Sequence, residues 1–137
     1  MFLSVVRRAE HNGAATAEMA LAMPVLMMVL LGLIEFALFW HATNVVIGAA
    51  QDGARVAASE DATMNDGIQR AQQLMKTGLG NQLTDVTVSG QDGGDEVAIQ
   101  VQGRFRLFIP WAVQGAIPIQ KRAVISKDHF RAGPGHV

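Results

Sequence analysis

Cysteine is absent from this 137-residue chain. Its absence excludes a disulfide framework, a thiolate metal centre and a cysteine nucleophile. It permits an extracytoplasmic location without requiring one. Tyrosine is absent too, which weighs against a large adhesive surface, because such surfaces favour Tyr and Trp. Neither sign of charge is in excess: 11 basic residues face 12 acidic ones, for a net charge of -1. Nothing global therefore selects nucleic acid or an anionic membrane surface as partner. Charge is missing altogether from residues 19–34.

What fills that gap organises the chain. Residues 14–40 read AATAEMALAMPVLMMVLLGLIEFALFW, with Pro24 and Gly32 as the helix-weakening residues. At about 1.5 Å per residue, some twenty helical residues cross a hydrocarbon core of roughly 30 Å. The stretch is long enough for a transmembrane helix provided that Glu18, near its start, and Glu35, near its end, are tolerated. Met19, Met23 and Met27 lie four apart on one face, a packing surface. Pro24 removes one backbone donor, and a kink or a short melted turn is expected there. Arg7 and Arg8 precede the run, and the next Lys or Arg is Arg55. The positive-inside rule puts the N-terminus in the cytoplasm and the C-terminal domain outside.

A secretory signal has a shorter apolar core, about 7–15 residues, followed by a small-residue cleavage site. Here residues 1–13 form a short basic leader, with a weak turn signal at His11-Asn12-Gly13. That layout fits a cut ahead of the apolar segment, or no cut. Beyond Trp40, small or apolar residues recur at Ala42, Val45, Val46, Ala49, Gly53, Val56 and Ala57. This is the stripe of an amphipathic helix, with Asn44, Gln51, Asp52 and Arg55 opposite. One helix is therefore expected over 14–59, the first half in lipid and the second the spine of an outer domain. Asp52 and Arg55 fit an i, i+3 surface pair.

Thr63-Met64-Asn65-Asp66 resembles a capping box, and Ile68, Ala71, Leu74 and Met75 mark a short second helix ended by Gly78 and Gly80. Strands are expected over 83–89, with Val86 and Val88 on one face, and over 96–103, with Val97, Ile99 and Val101 alternating. Gln91-Asp92-Gly93-Gly94 is the hairpin turn between them. Residues 104–109 can prolong the second strand, and 110–115 read as a loop carrying Trp111. A third strand covers 117–126, with Ile117, Ile119, Ala123 and Ile125 on one side. The fold class is α+β: the long helix, alone, covers the apolar face of a small three-stranded antiparallel sheet, with one short helix beside it. The organisation is leader 1–13, transmembrane helix 14–40, outer domain 41–127 and flexible tail 128–137.

Catalytic chemistry is not legible. His11, His41, His129 and His136 are scattered without metal-ligand spacing. The glycines form no phosphate loop. Asp92, Asp95 and Glu96 read as a solvated turn rather than a cation site. No catalytic residue, cofactor or metal is assigned.

The sharper pattern is Gly13, four residues, Glu18, then an apolar helix. With Pro24, the Gly32-Leu33-Ile34-Glu35-Phe36 end of the apolar run, and the Ala/Gly-rich GAAQDGARVAA of 48–58, it resembles the TadE-like pilus-assembly proteins. These are the pseudopilins, or minor pilins, of tight-adherence (Flp, type IVb) pili. Met19 departs from the pattern, where an aromatic is expected, as do Gln51 and Asp52, where Arg or Glu is expected. The resemblance implies a pilin-like fold and a mechanism. A membrane prepilin peptidase cuts between Gly13 and Ala14 on the cytoplasmic side. The helix waits in the bacterial inner membrane, its C-terminal domain periplasmic. An assembly platform, powered by a cytoplasmic ATPase, then uses it or incorporates it into the pilus. Glu18 sets processing or axial register between subunits, while Glu35 and Pro24 are candidate helix–helix contacts. The partners implied are the peptidase, other pilins of the system, the platform and the lipid bilayer, with no nucleic acid. The alternative is an uncleaved single-pass protein whose periplasmic domain binds a component of an envelope or secretion complex.

Overall fold

The structure is a computed structural model that describes residues 13–107 and 116–127. Five elements follow in order: α1 (Phe2–Ala58), α2 (Met64–Leu79), β1 (Leu83–Asp92), β2 (Glu96–Phe105) and β3 (Ile117–Ser126). This is the expected α+β fold, a long N-terminal apolar helix, a second helix and a three-stranded antiparallel sheet. The chain forms two compact units, Met1–Ala37 and Leu38–Val137. Helix α1 passes through Pro24 without a break, so the melted turn is not present. Gly13 lies inside α1 rather than at a turn ahead of it; the rest of the leader lies outside the described residues.

In the second unit, α1 buries Ala42, Val46, Ala49, Ala50, Ala54 and Ala57. Small side chains on this stripe let α2 approach backbone to backbone. A Cβ placed on Gly53 would sit 2.7 Å from the Gly67 carbonyl oxygen, and one on Gly67 only 2.5 Å from the Ala57 Cβ. Gly78 is a correction: it lies within α2 rather than ending it, and a Cβ there would meet Val45 Cγ1 at 2.7 Å. The end is made by Gly80 at φ 51°, whose N–H donates to the Lys76 carbonyl. A second correction concerns Asp52, which pairs with Arg70 of α2 (Oδ2 to Nε, 2.8 Å) rather than with Arg55.

Helix α2 begins as its capping box requires. The Thr63 N–H and hydroxyl both donate to Asp66 Oδ2 at 2.7 Å, and the Asp66 N–H donates back to Thr63 Oγ1 at 3.3 Å. The Thr63 backbone N–H, and then its hydroxyl, hold the Asp66 carboxyl below its ordinary pKa.

The sheet order is β1-β2-β3. Val97, Ile99, Val101 and Phe105 of the central strand are buried toward the helices. Two helices, not α1 alone, cover that face. Ala71, Met75 and Leu79 of α2 join Ile99 and Val101 in the core, and Met64 and Ile68 close over Gly90. Phe39 of α1 meets Phe105 edge to face, ring centres 5.7 Å apart. Strand β1 runs further than 83–89, to Asp92, and is bulged: its register shifts between Thr84 and Thr87, with Asp85 at φ 54°. The extra residue turns Leu83 and Val88 to the same side despite their odd spacing, whereas Val86 is 43% exposed. Strand β2 stops at Phe105, so it gains two residues of the expected prolongation; residues 108–109 lie outside the described ones, as do the 110–115 loop and the 128–137 tail. Asp92 at the hairpin accepts from Lys127 Nζ at 2.7 Å and from the Gly94 N–H at 3.0 Å. The lysine, then the amide, lowers its pKa.

Candidate functional site

The candidate site occupies the α1 residues of the first unit. Nearly all hydrophobic residues of this part are exposed, among them Met19 at 70% and Leu21 at 76%. An apolar helix surface of this extent marks a contact with a membrane or with another protein. From Gly13 the helix is long and apolar enough to cross a membrane. Gly13, Ala14, Glu18 and Pro24 are all exposed, and Glu35 is half-buried and engaged in a polar or electrostatic contact.

Ala14 and Glu18 stand at i and i+4 on unbroken helix, so they share a face one turn apart. Glu35 follows Glu18 at roughly 25 Å along the axis and about 100° around it, from 1.5 Å rise and 3.6 residues per turn. One straight partner helix therefore cannot face both carboxylates squarely. Pro24 leaves the Ala20 carbonyl without its helical donor.

The glycines differ in what demands them. Gly13 and Gly32 have helical φ, and a Cβ on either would meet nothing within 4 Å. Packing does not require glycine at 13, in contrast to Gly53 and Gly67.

His41 is exposed, and the other histidines lie outside the described residues. Among the described residues no three His, Asp or Glu side chains converge as metal ligands. A feature that sequence reasoning missed is a cleft between α1 and β3, lined in part by Arg55 and Lys121. Its signal was a lysine interrupting the Ile117, Ile119, Ala123, Ile125 side of β3.

An α+β domain on one long N-terminal helix that can serve as a single-pass anchor defines the class of this protein. Residues 13–55 match the family model for TadE-like protein, so over that stretch the chain is similar to that family, as its motifs indicated. TadE-like proteins are membrane proteins associated with tight-adherence pili. No curated protein and no solved structure matches the chain.

Proposed function

We propose that this protein is a minor pilin or pseudopilin needed to assemble tight-adherence pili, cut after Gly13 by a prepilin peptidase. One observation carries the reading: the TadE-like match begins at Gly13, a glycine that packing does not require. A peptidase that accepts only glycine before the cut supplies a reason for it, because any other residue adds a Cβ. The helix anchors the protein in the inner membrane with residues 41–127 in the periplasm. Other pilins and the assembly platform meet it there, with Glu35 and Pro24 at helix contacts.

Glu18 has a role at the new terminus. Cleavage creates an α-amino group on Ala14, with an ordinary pKa of about 7.7–8.0. That charge and the Glu18 carboxylate are complementary between neighbouring subunits. An ion near the bilayer centre costs roughly 2.5–3.5 kcal/mol on insertion scales, so an unpaired Glu18 moved into an apolar filament core is penalised. Pairing selects one axial register, since any slip leaves both charges unmatched.

The test is the N-terminal mass of membrane-extracted protein. A chain beginning at Ala14 in wild type and at Met1 in Gly13→Asp is the expected result. A wild-type chain that keeps Met1 supports the uncleaved anchor instead, and normal cleavage of Gly13→Asp removes the glycine argument.

A further inference from the structure

Strand β3 lies at the edge of the sheet and pairs with β2 alone among the described residues. Its register is unbroken from Ile117 opposite Phe105 to Ser126 opposite Glu96. The other edge, β1, is interrupted by its bulge, a device that blunts edges. Strand β3 therefore offers the more regular row of backbone donors and acceptors.

A cleft of about 370 Å³ opens between that edge and α1. Ile47, Ala50 and Arg55 line it from the helix, and Lys121, Val124 and Ile125 from the strand. Among the described residues no acidic side chain lines it. Strand residues of both faces take part, successively from Lys121 to Ile125, so among the described residues the edge itself is open. At about 3.3 Å per residue the open edge is roughly 16 Å long.

Lys121 is out of place for a purely structural residue. Strand alternation puts it on the helix-facing side with Ile119 and Ala123, directly opposite Val101, which is fully buried. It is half-buried. Neither Lys121 nor Arg55 belongs to an ion pair among the described residues. An aliphatic side chain would suit a position opposite buried Val101 at least as well, since the described lining offers the ammonium no carboxylate.

We infer that the cleft takes one extended, acidic segment of a partner protein, which adds as a fourth strand along β3. Backbone hydrogen bonds to the β3 edge hold the segment, and its alternate side chains select it. Acidic residues on its helix-facing side meet Arg55 and Lys121, which supply the missing counter-charge. The inference is independent of cleavage after Gly13. An inward-pointing charge on an edge strand can also simply keep edges of like molecules apart, and the experiment separates the two roles.

The full chain in detergent micelles is titrated with a decapeptide of alternating glutamate and valine, and with its lysine–valine counterpart. The glutamate peptide binds and slows amide exchange along β3, and the lysine peptide does neither. Lys121→Glu weakens binding roughly tenfold or more, as loss of a complementary charge across an interface does. Lys121→Met weakens binding to a similar degree yet leaves the melting temperature at least as high, an outcome that a merely structural lysine would not give. The inference is overturned by absence of binding, by equal binding of the two peptides, or by unchanged binding in Lys121→Met. Slowed β3 exchange that follows protein concentration without peptide would make a second copy the occupant and overturn it too. Self-association of Lys121→Met, with no peptide bound by wild type, would reduce Lys121 to a guard of the edge.

Discussion

One helix, α1, is built by two different rules. Between Gly13 and Ala37 its residues are mostly apolar on every side and exposed, apart from half-buried Leu31 and Glu35. From Leu38 to Ala58 the buried residues narrow to a stripe made mostly of alanine, packed in the core with α2 and the sheet, with polar residues opposite. The first pattern suits a solvent of hydrocarbon, where no direction is privileged. The second suits a protein neighbour, where one direction is privileged and close approach is rewarded by contact. The same amino-acid type consequently means different things in the two parts: glycine is optional at 32 and obligatory at 53.

The largest effect expected is in the first part, at Glu18. Glu18→Ala still inserts and is still cleaved, but it fails to join its pilin partners. Pilus counts and crosslinks, read beside the N-terminal mass, check this, and a cleaved variant with normal pili ends the register hypothesis. The next test sets the two halves of α1 against each other with one chemical change. Gly53→Ala and Gly67→Ala drive a Cβ into backbone and neighbouring methyl groups. Overpacking of that kind costs about 1–3 kcal/mol, enough to outweigh the gain of about 1 kcal/mol in helix propensity. Gly32→Ala meets nothing and leaves the melting temperature of the Leu38–Val137 unit unchanged. Equal melting of all three variants in detergent would break the contrast.

A smaller loss, about 1 kcal/mol, is expected when Thr63→Ala removes the cap of α2. The same cap gives the second unit a sensitivity to acid. Asp66 and Asp92 both have lowered pKa values in the folded state, so the unfolded chain binds more protons than the folded one. Their stabilisation is complete above the ordinary aspartate value of about 3.9. It is lost as pH falls through the lowered folded values. Thermal melting against pH should show a loss of stability below about pH 4, reduced in Asp66→Asn. The smallest effect is at Asp52→Ala. Its pair with Arg70 joins the two helices but is well exposed, and such pairs contribute about 0.2–1 kcal/mol.

Sequence by itself determined the α+β class, the apolar helix, the capping box at Thr63, the core side of β2 and the limits of β3, because each is a local pattern of period or composition. The Gly13, Glu18 and Pro24 constellation is also read along one helix, and its role belongs to the proposed function. Tertiary structure decided what depended on a second element. It assigned Gly78 to a contact with Val45, Asp52 to Arg70, and the bulge at Asp85 to the register against β2. It also opened the cleft beside Lys121, which exists only because α1 and the edge of β3 lie side by side. Spacing along a chain reports which face a residue occupies, but not what another element brings to that face.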